Sequence, residues 1–280
     1  MKTDQAISSF LTAIEGKPHY ARNLVGLAEV ALGRKDKLRA FELAHKALAE
    51  ASDEPEVGIR IRAVLGSLLP GYHAPMMNDA RRNLAWDQAL RRAIRPGMRV
   101  LEIGSGAGML ALMAARAGAA KITTCERDLI AARVAREIAE CNGYGNSIDV
   151  IPKSSQDLIP GVDLEQPAEL LFCDIFDDRL LGFDRLPALT DARNRLLAPG
   201  APVIPAAGVI KLALGSWKGC AVACRTGYAA GFDISAFAEF VHPSMLIAIG
   251  DPDVSLCSAD AEAFRFDFAA PSCPDAGARS

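Results

Sequence analysis

Short apolar segments alternate with segments of helical periodicity from about residue 97 onward. Parallel strands need a long connection, usually a helix, so this alternation predicts a parallel sheet covered by helices. The expected order is strand "RVLEIG", helix 108–117, strand "KITTCE", helix 129–141, strands "SIDVI" and "AELLFCD", helix 185–197 and strand "APVIP". We therefore predict an α/β fold with a Rossmann-like central sheet.

The first 70 residues carry apolar side chains at helical spacing and no strand signals, which predicts a helical amino-terminal segment. Within it, residues 20–55 resemble a degenerate tetratricopeptide (TPR-like) unit, with Gly33 at the turn and Pro55 at the close. A single unit of this kind cannot bury its own apolar face, so it must pack on the rest of the chain or on a partner. A helical cap and a docking module both remain open.

The final 75 residues have a different pattern. They contain short β-like runs such as "VIKLALG", "SMLIAIG" and "FRFDFAA", separated by Gly, Pro, Ser and Asp. This pattern predicts a small antiparallel appendage. The expected organisation is a helical segment at 1–70, a Rossmann-like domain at 71–205 and a reduced β region at 206–280.

Composition narrows the classes of function. The formal net charge is −3 and no basic stripe stands out, so a nucleic acid is not an expected partner. The longest uncharged stretches are too short for a membrane span, so no membrane contact is expected. Seven cysteines without paired CxxC motifs, and only four histidines, predict no metal site and favour a cytoplasmic location. Residues 101–200 carry ten basic and fifteen acidic side chains, which favours a cationic partner or none.

Three glycines follow the first predicted strand, in the segment "EIGSGAG". Gly104, Gly106 and Gly108 allow the backbone to turn sharply and to approach a ligand closely. The loop leads into a helix, so it would deliver that ligand to a helix amino terminus at the carboxyl edge of the sheet. This is where α/β folds of this kind bind small molecules.

Two carboxylates define the ligand further. Glu102 precedes the first glycine of a GxGxG spacing, which differs from the GxGxxG dinucleotide motif, and Glu126 ends the second strand. An ionised side chain at that strand end is well placed to accept hydrogen bonds from both ribose hydroxyls of a nucleoside. These features favour S-adenosyl-L-methionine, whose α-amino group Glu102 could help to hold. A nicotinamide or flavin nucleotide and a purely structural turn remain the alternatives.

Several motifs in a fixed order resemble a known family. The segments "YHAPMMNDARRNLAWDQAL", "VLEIGSGAGMLALMAARAGA", "CERD", "VIPKSSQDL", "LFCDIFDDRLLG" and "LLAPGAPVIPA" are similar to the core of the protein arginine N-methyltransferases, most closely their type-seven branch. The resemblance covers residues 72 to about 206, and "GFDISAFAEF" and "FRFDF" look like pieces of that branch's β-barrel. It implies a class I methyltransferase sheet, and family members are commonly homodimers.

The resemblance also implies roles for the cofactor-binding residues. Met77 and Arg82 match the family's amino-terminal helix, which folds over the cofactor, and His73 matches a cofactor-contacting histidine just before it. Arg82 would hold the cofactor carboxylate through a charge-assisted pair. The remaining matched positions are Glu102, Gly104, Gly106 and Gly108 at the loop, Glu126 at the ribose and Asp157 near the adenine amine.

The substrate half of the site departs from the family. Two glutamates after the fourth strand clamp the substrate guanidinium in the family; Asp174 stands at the first of these positions, while Phe183 stands at the second with Asp184 beside it. The family's "THW" triplet is not found. The resemblance implies N-methylation of arginine in a protein or peptide, with Asp174 and Asp184 as catalytic residues. The alternatives are a methyltransferase acting on a small molecule or modified peptide, and an inactive cofactor-binding interaction protein.

Overall fold

The structure is a computed structural model that describes residues 9, 11–13, 15–50, 54–176, 180, 185–219, 227–240, 247 and 250–269. The chain divides into two compact units, residues 1–206 and residues 207–280. Within the described residues, no helix has both the length and the apolar character needed to cross a membrane. The same residues contain no group of three or more His, Cys, Asp or Glu side chains arranged to hold a metal ion.

Helices α1 (Tyr20–Gly33), α2 (Lys37–Glu50) and α3 (Pro55–Leu68) are the long helices in the described amino-terminal part of the first unit. Each buries one apolar stripe, as the helical spacing predicts. Leu24, Phe41 and Ile61 are among the side chains of this buried cluster. Two further helices follow, α4 (His73–Met77) and α5 (Ala80–Ala93).

The remaining elements of the first unit are β1 (Arg99–Ile103), α6 (Met109–Arg116), β2 (Lys121–Cys125), α7 (Leu129–Cys141), β3 (Ile148–Ile151), β4 (Leu170–Cys173), α8 (Arg185–Arg195) and β5 (Val203–Ile204). The five strands form one parallel sheet in the order β3-β2-β1-β4-β5. The predicted Rossmann-like sheet is confirmed.

The sheet order determines where a ligand can bind. Ile103, the last residue of β1, lies beside Cys125 of β2 on one side and Cys173 of β4 on the other. The strand order reverses between β1 and β4, and ligands of doubly wound sheets bind outside the carboxyl ends of the strands at this point. The loop after β1 therefore lies between the segments that follow β2 and β4.

Helix α7 packs on both the sheet and the amino-terminal helices. Ala132 and Ala135 belong to the buried cluster over the sheet, whereas Ile130 belongs to the cluster of α1, α2 and α3. The Arg133 guanidinium of α7 also lies 5.2 Å from the centre of the Phe41 ring on α2. The amino-terminal helices thus bury their apolar face partly on the rest of the chain, one of the two arrangements that the sequence left open.

The second unit contains short antiparallel pairs. Strand β6 (Ala207–Leu212) pairs with β11 (Ala261–Asp267), β7 (Gly215–Trp217) pairs with β10 (Val254–Leu256), and β8 (Tyr228–Ala229) pairs with β9 (Phe232–Asp233). The predicted antiparallel strands at "VIKLALG" and "FRFDFAA" are confirmed. Most of "SMLIAIG" lies outside the described residues.

Candidate functional site

The loop after β1 has a backbone that favours glycine at three positions. Gly104, Gly106 and Gly108 have φ values of 83°, 50° and 75°. At Gly104 a Cβ atom would lie 2.5 Å from Cγ2 of Ile175, so a side chain at this position would require Ile175 to shift. The Gly104 and Ser105 amides both donate to the Cys125 carbonyl, at 2.9 and 3.2 Å, which fixes the loop against the end of β2.

Glu126 supports the loop from the end of β2. Its Oε2 accepts from the Gly106 amide at 3.1 Å, and its Oε1 accepts from the Asp128 amide at 2.9 Å. Asp128 in turn caps α7 by accepting from the Ile130 and Ala131 amides. Glu126, the residue predicted to bind the ribose, therefore has a fixed position beside the glycine loop.

Glu102 is a buried carboxyl group beneath the loop, with 1% of its surface exposed. Its Oε2 accepts from Thr124 Oγ1 at 2.6 Å, while its Oε1 has no hydrogen-bond partner in the described part of the chain. Burial raises the pKa of Glu102 to about 8, and the nearby charges of Glu126 and Asp174 add to this effect. The buried Ser105 Oγ also has no partner among the described residues.

Helices α4 and α5 bring further side chains to the same edge. The resemblance placed Met77 and Arg82 on one amino-terminal helix, but the structure divides this segment at Asn78, because Asp79 accepts from the Arg82 amide and caps a new helix. His73 lies on α4, and its imidazole ring lies over the glycine loop. A Cβ atom added to Gly106 would be 3.6 Å from His73 Cε1.

Arg82 and Asp174 form an ion pair across the site. Arg82 Nε donates to Asp174 Oδ2 at 2.9 Å, and Nη2 donates to the same oxygen. The two side chains are only 17% and 27% exposed. The resemblance assigned them to opposite halves of the site, Arg82 to the cofactor and Asp174 to the substrate. The structure joins the two halves through one shared contact.

Asp157 lies in a short turn, Ser155–Asp157, that follows β3 at the same edge of the sheet. Arg195 on α8 holds this turn, donating to the carbonyls of Leu158 at 2.8 Å and Gln156 at 3.1 Å. The Asp157 side chain is exposed. Its predicted contact with the adenine amine stays a prediction.

The second predicted catalytic residue, Asp184, lies outside the described residues, as does Phe183. At the carboxyl-terminal end of this stretch, Arg185 Nε donates to the Ile175 carbonyl. The role of Asp184 therefore stays a prediction.

Sequence reasoning missed several residues of the site. Thr124 lies beside Glu102 in the β1–β2 register, so correct alignment of the two predicted strands would have revealed this pair. Ile175 directly follows Asp174 and closes over Gly104. Asn83 directly follows Arg82 and binds its guanidinium, but no spacing rule singles it out.

Comparisons with known proteins agree with the motifs. A family model described as ribosomal protein L11 methyltransferase (PrmA) matches residues 87–212. An arginine N(omega)-methyltransferase from Streptomyces achromogenes subsp. streptozoticus is 40% identical over 167 residues, covering 60% of this chain and 46% of the relative. Protein arginine N-methyltransferase 7 from Oryza sativa subsp. indica is 38% identical over 139 residues, covering 46% of this chain and 19% of the relative. The chain thus spans less than half the length of these relatives.

Solved structures share the fold. A Trypanosoma brucei PRMT1 enzyme-prozyme complex with AdoHcy matches with a TM-score of 0.61 and 21% identity, over 71% of this chain and 62% of that one. Arabidopsis thaliana protein arginine methyltransferase 10 matches with a TM-score of 0.58 and 19% identity, over 71% of this chain and 63% of that one. The resemblance to the arginine methyltransferases is confirmed over the matched segment, and so is the methyltransferase-type fold.

Proposed function

We propose that this chain is an S-adenosyl-L-methionine-dependent methyltransferase that methylates a guanidinium nitrogen of arginine in a protein or peptide. The observation that carries the proposal is the grouping of the glycine loop, Glu126, Arg82 and Asp174 at the point where the strand order reverses. The names of the curated relatives support the same acceptor.

The residues present fit the cofactor. Glu102 Oε1 is a buried acceptor without a partner in the described chain, and it suits an amino group, whose positive charge would favour the ionised carboxylate. Arg82 uses three of its five N–H donors on described residues, which leaves two for a carboxylate. Glu126 would accept from the ribose hydroxyls. When bound, S-adenosyl-L-methionine supplies a methyl group already activated by a positively charged sulfur.

Asp174 would position the acceptor. Both hydrogen bonds from Arg82 go to Oδ2, so Oδ1 remains able to accept from a substrate guanidinium. A cationic nucleophile needs such a carboxylate to enter a water-poor site, and alignment is most of what transfer from an activated donor requires. Asp174 directly follows the last residue of β4 and is paired with Arg82, and these two constraints define its position.

Free arginine is a second candidate acceptor. The name of the Streptomyces relative specifies arginine without the word protein, whereas the rice relative is named for protein arginine. Both acceptors present the same guanidinium to Asp174. They differ in the α-amino and α-carboxylate groups that only the free amino acid carries.

The test is incubation with labelled cofactor and three acceptors: arginine-containing peptides, the same peptides with lysine in place of arginine, and free arginine. Mass spectrometry then identifies the methylated atom. Label on the arginine peptides supports the proposal, and label on free arginine alone supports the second candidate. Absence of transfer to all three, with cofactor still bound, would contradict arginine as the acceptor and leave the two alternatives, another acceptor or an inactive binding protein.

Asp174→Asn is the matched variant for this assay. The amide keeps the shape of the side chain but loses the charge that pairs with a guanidinium, so we expect kcat/KM to fall at least about a hundredfold. Because Asp174 also holds Arg82, turnover of both chains is compared at saturating cofactor, and calorimetry measures the cofactor Kd of each. Undiminished turnover would remove Asp174 from the mechanism.

The proposal also concerns partners and location. A protein or peptide bearing arginine is the implied partner, and a homodimer in the cytoplasm is the expected setting from the family resemblance and cysteine usage. Light scattering coupled to gel filtration tests the dimer, which a monomeric mass at all concentrations would contradict.

A further inference from the structure

Asn83 uses both ends of its side-chain amide. Its Nδ2 donates to the Met77 carbonyl at 2.7 Å, and its Oδ1 accepts from Arg82 Nη1 at 3.0 Å. Asn83 is half-buried on the first turns of α5, and its backbone amide donates to the Asp79 carbonyl at 2.9 Å. The side chain therefore has a fixed place between α4 and the Arg82 guanidinium.

The bond to Met77 has a clear physical purpose. The last carbonyls of a helix have no partner within it, and Met77 is the last residue of α4. Asn83 satisfies this carbonyl and joins α4 to α5 across the break at Asn78. Segment 73–77, which carries His73 over the glycine loop, is thereby tied to the helix that carries Arg82.

The bond to Arg82 restricts a flexible side chain. An arginine loses about 2 kcal/mol of rotamer freedom when it is held in one position, so preorganisation favours binding. Asp174 contacts one edge of the guanidinium through Nε and Nη2, while Asn83 contacts the far nitrogen, Nη1. These contacts fix the plane of the guanidinium as well as its place.

We propose that Asn83 is a positioning residue that holds the Arg82 guanidinium in the orientation required to bind the cofactor's carboxylate. The proposal rests on the proposed function, in which Arg82 binds that carboxylate. Asparagine fits this role because the donor for Met77 and the acceptor for Arg82 must occur on one short side chain. Aspartate lacks the donor, and alanine lacks both groups.

Two ligands separate this role from a purely structural one. S-adenosylhomocysteine carries the amino-acid group, whereas 5′-methylthioadenosine carries the adenosine and sulfur but no carboxylate. In Asn83→Ala we expect the Kd for S-adenosylhomocysteine to rise about tenfold, as for loss of a hydrogen bond to a charged group. The Kd for 5′-methylthioadenosine should stay within about twofold.

The matched control is Gln88→Ala, an exposed position on the same helix, which should change neither affinity. A double-mutant cycle with Arg82→Ala tests the route of the effect. Once Arg82 is absent, Asn83→Ala should raise the Kd for S-adenosylhomocysteine by no more than about twofold, because only the bond to Met77 is left to lose.

Equal weakening of both ligands, or no weakening of either, would overturn the positioning role while leaving the proposed function standing. The positioning role would also be overturned if Asn83→Ala, added to Arg82→Ala, raised the Kd for S-adenosylhomocysteine by a further tenfold or so. If the unmodified chain binds neither ligand, the proposed function fails, and the positioning role fails with it.

Discussion

At the scale of single residues, the site is defined by carboxyl groups in different surroundings. Glu102 is buried and bonded to Thr124, Glu126 accepts two backbone amides, and Asp174 is paired with Arg82. Burial favours the neutral form of Glu102. Glu126 has two backbone donors instead, and Asp174 has an arginine partner. Three side chains of similar chemistry are thus suited to three different roles.

The first prediction concerns Glu102 and pH. The folded chain keeps the Glu102 proton up to about pH 8, whereas the unfolded chain loses it near the ordinary pKa of 4.5. Between these values unfolding releases a proton, so the free energy of unfolding of the unmodified chain falls as pH rises. Glutamine cannot ionise. The stability of Glu102→Gln relative to the unmodified chain should therefore increase from about pH 5 to about pH 8 and then level off.

Urea unfolding at four pH values across this range measures the effect. If the difference in the free energy of unfolding between Glu102→Gln and the unmodified chain stays constant with pH, Glu102 is ionised in the folded chain at neutral pH.

The second prediction concerns Glu126. Glu126→Ala should raise the Kd for S-adenosylhomocysteine more than about tenfold, because it removes the charged acceptor of the ribose hydroxyls. It also leaves the Gly106 and Asp128 amides without their acceptor. Glu126→Gln keeps one oxygen to support the loop, so its effect on affinity should be smaller. Calorimetry compares the three chains, and unchanged binding in Glu126→Ala would refute the ribose contact.

At the scale of elements, the strand–loop–helix unit from β1 to α6 follows from its sequence. The predicted strand and helix lie within two residues of the observed bounds, because their apolar spacing agrees with how they are buried. The amino-terminal helix was predicted less well. Its break at Asn78 depends on capping by Asp79, a local signal that the family resemblance concealed.

The third prediction concerns Gly104 and uses Gly97 as its control. Both have positive φ, 83° and 89°, but a Cβ at Gly97 would meet nothing within 4 Å. Gly97→Ala should cost about 1 kcal/mol of stability for its backbone conformation alone. Gly104→Ala adds a collision with Ile175 and should cost about 1–3 kcal/mol more. Urea unfolding measures both, and equal losses would mean that Ile175 moves aside freely.

At the scale of the whole molecule, the first unit contains two buried clusters that meet at α7. The helix presents alanines to the sheet and Ile130 to the amino-terminal helices, and Arg133 reaches Phe41. The two clusters therefore share an element. We expect residues 1–206 to unfold as one cooperative body.

The fourth prediction tests this cooperation. Ile130→Ala removes a buried side chain from the helical cluster and should cost about 2–5 kcal/mol. Trp86 packs against the other cluster. With Trp217 of the second unit replaced by phenylalanine, Trp86 fluorescence should report the same loss as circular dichroism does. The neighbouring Leu129 is 50% exposed, so Leu129→Ala should change stability by less than about 0.5 kcal/mol. Separate transitions for the two signals would refute the single cooperative body.

The sequence by itself determined the order of strands and helices, the glycine loop and the positions of Glu102, Glu126 and Asp174. These features depend on local periodicity and on short motifs, which a single stretch of chain contains. Only the tertiary structure decided that Arg82 binds Asp174, 92 residues away, and that Asn83 holds the same guanidinium. It also decided the burial that raises the pKa of Glu102 and the docking of the first helices on α7. Such contacts depend on which elements become neighbours in space, and that outcome is settled by packing of the whole unit.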